Sequence, residues 1–222
     1  MKISKVLVTA LSAGTLFAQV PADQLDARIQ LFGEVIRPTA FSIAGGVKDQ
    51  ADRSFGAGIR FMGEMGSARN VYYELGGKLD STSNLTFNGM VNGVPADNTD
   101  IKITSSYWFL GVGYLMPLGS AMSLGFHLEG RGEALAASGT QILNGTLNTV
   151  DAGTTYLRPW FRLSFDGTFS AGKFRPFIGA DVSATPIKTT QGAITALSAM
   201  DDRTLRSMAP QVSAGLYAGL HF

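Results

Sequence analysis

The sequence V-S-A-G-L-Y-A-G-L-H-F, residues 212–222, alternates apolar residues with small, polar or amphipathic ones along its whole length. Successive side chains of a β-strand point to opposite faces, so this spacing predicts a strand with one apolar face. That face holds Val212, Ala214, Leu216, Ala218, Leu220 and Phe222. A terminal strand has two edges to pair, and pairing it with the first strand closes a sheet into a barrel.

The composition bounds what kind of protein this is. The 222 residues include 27 glycines and no cysteine, and the formal net charge is +1. Charged residues make up 16% of the chain, which is low for a soluble globular domain. The missing cysteine excludes disulfides, thiol catalysis and cysteine-based metal sites. The small net charge gives no electrostatic basis for binding nucleic acid.

Residues 1–18 have the features of a secretory signal peptide. Lys2 and Lys5 precede an apolar stretch from Val6 to Ala18 that contains several small residues. We predict cleavage after Ala18, with cleavage after Ala22 as the alternative. An N-terminal membrane anchor is disfavoured because the apolar run is shorter than the roughly 20 residues of a spanning helix. Residues 19–222 are then the mature domain of an exported protein.

The two-residue period recurs in seven further segments, which we predict to be strands. They are residues 28–36, 55–65, 71–79, 102–116, 122–134, 156–165 and 174–184. Short connections are predicted at 66–70, 117–121 and 166–172, and long ones at 37–53, 80–101, 135–154 and 185–209. This alternation of short and long connections indicates an eight-stranded, antiparallel, up-and-down barrel with tight turns at one rim and long loops at the other.

When each strand is phased by its apolar residues, its charged residues fall on the opposite face. The predicted interior holds seven basic side chains (Arg28, Arg60, Lys78, Arg131, Arg158, Arg162 and Arg175) and six acidic ones (Glu34, Glu64, Glu74, Glu129, Glu133 and Asp181). A Lys or Arg on the lipid side of a barrel costs roughly 2–4 kcal/mol at the bilayer midplane. A soluble barrel, the alternative, has its apolar residues inside. The pattern therefore favours a transmembrane barrel whose paired charges fill the lumen.

Two segments resemble those of small Gram-negative outer-membrane barrels. The run F-R-P-F-I-G-A at 174–180 is similar to a strand of the OmpA/OmpX/OmpW-like eight-stranded barrels, and 212–222 resembles their closing strand. The resemblance implies an all-β transmembrane barrel in the outer membrane, in contact with lipid and lipopolysaccharide. It also implies assembly by the outer-membrane machinery and periplasmic chaperones, with the signal read from Leu216, Ala218, Leu220 and Phe222.

The sequence offers little for catalysis. His127 shares its predicted inward face with Glu129 and Glu133, a set that suits a base or a metal ligand, but we interpret it as part of the lumen network. His221 is expected to be structural at the rim. The PagL-type lipid deacylases resemble this chain in architecture and use a Ser-His pair on the lipid face, where neither histidine is predicted. We predict no catalytic, cofactor or metal site.

Pro159 and Pro176 fall in adjacent predicted strands, where each removes one ladder hydrogen bond. Local bulges near the strand ends are the favoured interpretation. The alternative is a lateral seam at these prolines that passes small apolar solutes from the lumen into the bilayer, as in OmpW-like barrels. The first functional prediction is a non-enzymatic structural or surface-interaction role through external loops rich in Thr, Asn and Gly. The sequence does not identify the external ligand.

Overall fold

The computed structural model describes residues 26–36, 42–43, 47–48, 53–65, 70–91, 94–169, 174–187, 206 and 209–222. Its strands are β1 (Ala27–Ile36), β2 (Ser42–Ile43), β3 (Val47–Lys48), β4 (Ser54–Glu64), β5 (Val71–Val91), β6 (Val94–Pro117), β7 (Met122–Leu143), β8 (Thr146–Thr168), β9 (Arg175–Ala184) and β10 (Val212–His221). All except β2 and β3 form a closed antiparallel barrel of eight strands. The predicted all-β, eight-stranded architecture is confirmed. Within these described ranges no helix has the length and apolar character to cross a membrane.

The last strand closes the barrel against the first. β10 pairs with β1 from Arg28–His221 to Ile36–Ser213. Beyond β10, Phe222 exchanges two backbone hydrogen bonds with Ala27, each 2.9 Å long. A closed wall leaves no strand edge, so its backbone donors and acceptors can be satisfied where no water is present.

The strands have two different lengths. β1, β4, β9 and β10 contain 10 or 11 residues, close to the ~9–11 residues with which a tilted strand crosses a bilayer. β5 to β8 contain 21 to 24 residues and continue past the other four strands, at the end of the barrel away from residues 27 and 222. We call residues 80–91, 94–106, 134–143 and 146–156 the extension.

Two of the long loops predicted from the sequence are wrong. Residues 80–101 and 135–154 belong mostly to strands of the extension rather than to irregular loops. The β7–β8 hairpin turns at Asn144 and Gly145, whose φ angles are 49° and 74°. Positive φ at both central residues is the requirement of the type I′ hairpin turn, and Asn-Gly is its preferred sequence. The predicted connections at 37–53 and 185–209 lie largely outside the described residues.

In the wall common to all eight strands, the two faces have the polarity that the phasing predicts. Large apolar side chains are exposed on the outward face, among them Leu31, Phe55, Leu110, Phe126, Leu128, Phe161, Leu163, Ile178 and Leu216. Charged side chains are buried on the inward face, among them Arg28, Glu34, Arg60, Glu74, Lys78, Glu129, Arg131, Arg158 and Arg162. An apolar exterior around a charged interior is the arrangement of a barrel that faces lipid.

The polarity of the two faces reverses in the extension. Its inward face carries the apolar side chains Leu85, Ile101, Ile103, Leu135 and Val150, none more than 4% exposed. Its outward face carries exposed polar side chains, including Thr82, Asn84, Thr86, Asp100, Lys102, Ser138, Thr140, Thr149, Asp151 and Thr155. The β7–β8 ladder has no register shift, so this is a change of residue type along continuous faces. A polar outward face suits water, which places the bilayer surface near the row of Trp108, Gly132 and Leu157.

A matched pair of arginine substitutions tests this boundary. Phe126→Arg puts a charge on the lipid-facing wall and should lower the free energy of unfolding by about 2–4 kcal/mol. Thr155→Arg puts the same charge on the outward face of the extension and should change it by no more than about 0.5 kcal/mol. Guanidinium unfolding of the barrel in phospholipid vesicles measures both. Equal costs at the two positions would contradict the assigned boundary.

Candidate functional site in the lumen

The centre of the lumen is organised around Glu129 of β7. This carboxylate is fully buried and accepts hydrogen bonds from Arg162 Nε at 2.7 Å, Arg131 Nε at 2.8 Å and Arg60 Nη2 at 3.0 Å. The three arginines come from three different strands, β8, β7 and β4. Charge-assisted hydrogen bonds of this kind are stronger than neutral ones, and together they tie the strands across the lumen.

A second carboxylate, Glu74 of β5, connects to the same arginines. It accepts a hydrogen bond from Arg162 Nη2 at 2.6 Å and lies 3.5 Å from Arg60 Nε. Asp181 of β9 approaches the same two guanidinium groups at 3.6 and 3.7 Å. Arg60 and Arg162 therefore each sit between several carboxylates, which compensates the cost of burying their charge.

His127 lies between Glu74 and Ser164. Its Nδ1 contacts Glu74, and its Nε2 is 2.8 Å from Ser164 Oγ. An acid, a histidine and a serine in this order are the elements of a hydrolytic triad. Here the serine is only 2% exposed, and the ring fills the space that a Cβ would need at Gly113 and Gly125. The set lies on the inner face without room for a substrate, which fits the predicted structural role of His127.

Above this centre, Glu133 joins the network to the mouth of the barrel. It accepts hydrogen bonds from Arg158 Nη2 and Trp160 Nε1, both at 2.5 Å. Arg158 Nη2 also donates to the backbone carbonyl of Pro210 at 2.7 Å. The segment that leads into β10 is thereby held against β8. Trp160 is buried, and its hydrogen bond to Glu133 connects β8 to β7.

Aromatic rings fill the space between the charges. The guanidinium carbon of Arg131 lies 4.5 Å from the ring centroid of Tyr107 and 4.2 Å from that of Trp160. That of Arg28 lies 4.0 Å from the ring centroid of Phe177. Cation–π contacts of this kind stabilise a desolvated cation without adding charge. They let the lumen hold many arginines at close packing.

A small cavity remains beside Glu34 and Lys78. Lys78 Nζ is 3.8 Å from Glu34 Oε1 and donates to Ser81 at 2.6 Å, while Tyr107 donates to Glu34 at 3.0 Å. The cavity measures about 20 Å³, which is enough for roughly one water molecule. The lumen at this level has no open channel between the side chains described.

Asp166 anchors the lower lumen, contrary to its predicted place in a turn. It is buried, lies 3.0 Å from Arg28 Nη2 and accepts hydrogen bonds from Ser123 at 2.7 Å and Tyr217 at 3.3 Å. The reason is that β8 extends to Thr168. Asp166 has the same parity as the inward arginines of β8, so continuing the two-residue period would have found it.

Two predicted members of the network lie at the rim instead. Glu64 accepts the backbone N–H of Asn70 at 2.9 Å, and the side chain of Arg175 is 38% exposed. Arg175 joins a rim cluster around Asp26, which the sequence analysis missed. Asp26 contacts His221, accepts a hydrogen bond from Tyr72 at 2.8 Å and lies 3.8 Å from Arg175.

The charges inside the lumen balance. The described interior holds six basic side chains, Arg28, Arg60, Lys78, Arg131, Arg158 and Arg162, and six acidic ones, Glu34, Glu74, Glu129, Glu133, Asp166 and Asp181. Each of these side chains has an oppositely charged partner within the distances given above. Since an unpaired charge is costly away from water, equal numbers allow the interior to remain fully ionised.

The lateral seam predicted as an alternative at Pro159 and Pro176 stays a prediction, because the described β8–β9 pairing ends before it reaches Pro159. The β8–β9 ladder is continuous from Phe161 to Thr168. Pro159 lies two residues beyond one end of this ladder, and the carbonyl of Pro176 accepts the N–H of Phe169 at the other end. Neither proline shifts the register of the described ladders, so no bulge is seen at either position in them. A pocket lined in part by Pro159 opens beside the end of that ladder, so the solute passage through this seam also stays a prediction.

The closing strand presents its apolar face outward. Leu216 is 71% exposed, and Leu220 and Phe222 are 45% and 47% exposed; Ala218 is exposed beside them. Nothing on the protein covers these side chains among the described residues, and they belong to the same apolar exterior as the rest of the wall. The barrel is therefore closed, and its outer face is apolar while its inner face is charged.

This chain folds into a small, closed, eight-stranded antiparallel β-barrel with an apolar exterior and a charged interior. No family model and no curated protein matches its sequence. Among solved structures it is similar to Ail, the attachment invasion locus protein of Yersinia pestis, in complex with the heparin analogue sucrose octasulfate: TM-score 0.49, 12% identity, 90% of this chain and 99% of that chain covered. A second structure of Ail from Yersinia pestis has a TM-score of 0.40 and 12% identity, with 89% of this chain and 97% of that chain covered. Neisserial surface protein A has a TM-score of 0.41 and 8% identity, with 88% of this chain and 95% of that chain covered.

The described part of the barrel contains no group of three or more His, Cys, Asp or Glu side chains arranged to hold a metal ion. The carboxylates that do approach one another are separated by arginine side chains. The arginine side chains thus neutralise the described lumen carboxylates.

Removing the central carboxylate should destabilise the barrel. Glu129→Ala leaves Arg60, Arg131 and Arg162 without their shared acceptor, so we expect the free energy of unfolding to fall by about 3–5 kcal/mol. Glu64→Ala is the control, because it removes one rim hydrogen bond and should cost about 1 kcal/mol. Guanidinium unfolding in vesicles measures both. A Glu129→Ala barrel as stable as the control would contradict the network described.

The rim cluster around Asp26 predicts that part of the free energy of unfolding depends on pH. Burial acts to raise the pKa of Asp26, but hydrogen bonds from His221 and Tyr72 and the charges of His221 and Arg175 outweigh it and hold the pKa below its ordinary value of 3.8. A carboxyl with a lowered folded-state pKa contributes stability above its unfolded pKa and loses it as the pH falls. Asp26→Asn should therefore be less stable than the natural chain at pH 7. The gap should narrow below about pH 4. A gap independent of pH would contradict this role.

Proposed function

We propose that this protein is a non-enzymatic barrel of the Gram-negative outer membrane that carries the extension outside the cell as a surface for contact with external partners. The observation that carries the proposal is the reversal of face polarity along continuous strands. Leu128 and Phe161 face outward in the wall, whereas Leu135 and Val150 face inward in the extension. One stretch of each strand is thus suited to lipid and the next to water.

The filled lumen supports a role as an anchor rather than as a pore. Glu129, Arg60 and Arg131 are each no more than 1% exposed, and opening a path through them would separate buried charges from their partners. Breaking one partner out of such a network costs several kcal/mol, roughly 3–5. Each solute that passed through the lumen would require that cost, so we infer that the lumen stays filled in the functional protein.

The exterior of the barrel fits two further partner classes. The apolar wall would contact outer-membrane lipid and lipopolysaccharide. The outward apolar row of β10, from Leu216 to Phe222, is accessible to the assembly machinery and to periplasmic chaperones before insertion. In this proposal an exported precursor, with residues 1–18 or 1–22 removed, is folded into the membrane from the side that holds the rim cluster.

Labelling of single cysteines on whole cells tests the proposal. The natural chain has no cysteine, so Thr149→Cys on the extension and Leu128→Cys on the wall each give one reactive site. A membrane-impermeant maleimide should label Thr149→Cys and leave Leu128→Cys unlabelled, because the second side chain lies in lipid. Gel mobility of unheated and heated samples confirms that both variants are folded. Labelling of Leu128→Cys alone, or of neither variant until the cells are broken, would contradict the proposal.

A further inference from the structure

The outer surface of the wall has a notch between β7 and β8. Gly130 and Pro159, which are register partners, lie at its centre. Its volume is about 350 Å³. The residues that line it are Leu128, Glu129, Gly130, Leu157, Arg158 and Pro159. We call this depression the Gly130 notch.

The Gly130 notch presents an apolar surface. Leu128 and Leu157, the large side chains that border it, are 46% and 70% exposed on the outward face. Glu129 and Arg158 line it from below, but their charged groups are buried in the lumen and paired there. The notch therefore offers carbon atoms to its surroundings and no charge.

No neighbouring side chain fills the space over Gly130. A Cβ at this position would lie 3.8 Å from the nearest atom of another strand, the carbonyl oxygen of Leu110. At Gly132, by contrast, the ring of Trp108 already occupies the space of a Cβ. The notch is thus open to whatever lies against the wall.

The depth of the notch identifies what lies against it. Gly130 is two residues from Gly132 along β7, on the wall side of the row that we assign to the bilayer surface. Trp108 belongs to that row and is 43% exposed, as is typical of tryptophan at the boundary between head groups and hydrocarbon. The first methylene groups of an acyl chain lie just below this boundary, at the level of the notch.

Packing rather than hydrophobic burial would hold a chain in the notch. Lipid tails are as apolar as the leucines of the wall, so transfer from lipid to the notch gains nothing by itself. A void beside the wall, however, loses the dispersion contacts that a chain in the notch would make. The volume is near the lower end of the roughly 300–1,000 Å³ of small-molecule pockets, which suits part of one chain.

The outward surface beyond the notch carries no charge for two rows on β6, β7 and β8. Lys102 and Asp151, one of each sign, stand in the third row with Ser138 between them. Anionic lipids are recognised by clusters of basic side chains, and these described rows contain no such cluster. A head group without net charge fits this surface best. The uncharged rows consist of Ser106, Ala134 and Thr155, and of Thr104, Ala136 and Gly153.

We propose that the Gly130 notch binds one acyl chain of a zwitterionic phospholipid, whose head group lies against the uncharged rows beyond Trp108. The rest of the wall contacts lipid that exchanges freely, whereas the notch holds one molecule at a fixed place. This inference rests on the proposed function, which puts the wall in a bilayer. It adds one site and one class of lipid to the general contact with the membrane.

Native mass spectrometry of the full barrel, released from nanodiscs, tests the choice of lipid. One preparation contains phosphatidylcholine and phosphatidylglycerol in equal amounts and with the same chains, and a second contains phosphatidylcholine and lipid A. The natural chain should retain one phosphatidylcholine molecule from either mixture. Retention of phosphatidylglycerol or lipid A instead, or of no lipid, would overturn the proposal.

Filling the notch tests its location. Gly130 does not have a positive φ, so the backbone accepts a side chain there, and Gly130→Phe should lower the retained phosphatidylcholine by about tenfold. Gly33→Phe is the control, because Gly33 is an exposed outward glycine on β1, and the nearest atom of another strand to its Cβ position is 3.9 Å away. That variant should retain the lipid as the natural chain does.

Gel mobility of unheated and heated samples shows that both variants are folded, and Gly130→Leu replaces Gly130→Phe if the latter is not. Equal retention by the folded notch variant and by Gly33→Phe would overturn the proposal.

Trp108 gives a second readout in intact bilayers. The chain has two tryptophans, and the other, Trp160, is only 2% exposed. Phosphatidylcholine brominated near the carbonyl end of its chain, added as a minor component to phosphatidylglycerol vesicles, should quench Trp108 more strongly in the natural chain than in Gly130→Phe. Each quenching is measured against the same protein without bromine. Equal quenching in the two proteins would overturn the proposal.

The outcomes distinguish this site from the proposed function. If Thr149→Cys is labelled on whole cells and Leu128→Cys is not, but the barrel retains no phosphatidylcholine, the proposed function stands and the notch inference fails. If the impermeant maleimide labels Leu128→Cys, the wall does not lie in lipid and the proposed function itself fails.

Discussion

The constraint on which this structure depends is that a wall facing lipid must keep its charges inside. Every charged side chain of the common wall points to the lumen, and once there it has no water to screen it. The chain meets this constraint with equal numbers of acids and bases. Glu129 shows the consequence most clearly, because one buried carboxylate joins Arg60, Arg131 and Arg162 from three strands. An apolar outer face and a fully paired, charged interior therefore follow from the same constraint.

The same requirement explains the extension. Once β6, β7 and β8 leave the bilayer, the outward face meets water, and the apolar residues move to the inward face without any break in the strands. Leu135 follows Glu133 on the same side of β7, and Ile103 precedes Ser105 and Tyr107 on β6. The barrel thus combines an apolar-faced wall with a polar-faced sheet built from the same strands. Among the described residues, that sheet is the part that projects beyond the wall.

Alternation was sufficient to predict the closed barrel, its strand number and the inward charges, because apolar and charged residues keep one phase within the wall. Alternation failed to predict the extension, where the apolar residues move from the outward face to the inward face. Leu135 and Val150 belong to the inward face, so the outward apolar alternation of β7 stops after Leu128. Asn144-Gly145 is nevertheless a strong hairpin signal within the segment predicted to be a loop. The partners of each charge could not be predicted at all, because register between distant strands decides which arginine meets which carboxylate.

Spin labels placed along the outward face of β7 test the central claim most directly. Single cysteines at Phe126, Leu128, Ser138 and Thr140 report their surroundings by relaxation with oxygen, which concentrates in lipid, and with a polar nickel chelate, which stays in water. The account predicts oxygen-dominated relaxation at Phe126 and Leu128 and chelate-dominated relaxation at Ser138 and Thr140, in a barrel reconstituted in bilayers. Lipid-like relaxation that continues to Thr140, or chelate access at Phe126, would contradict it.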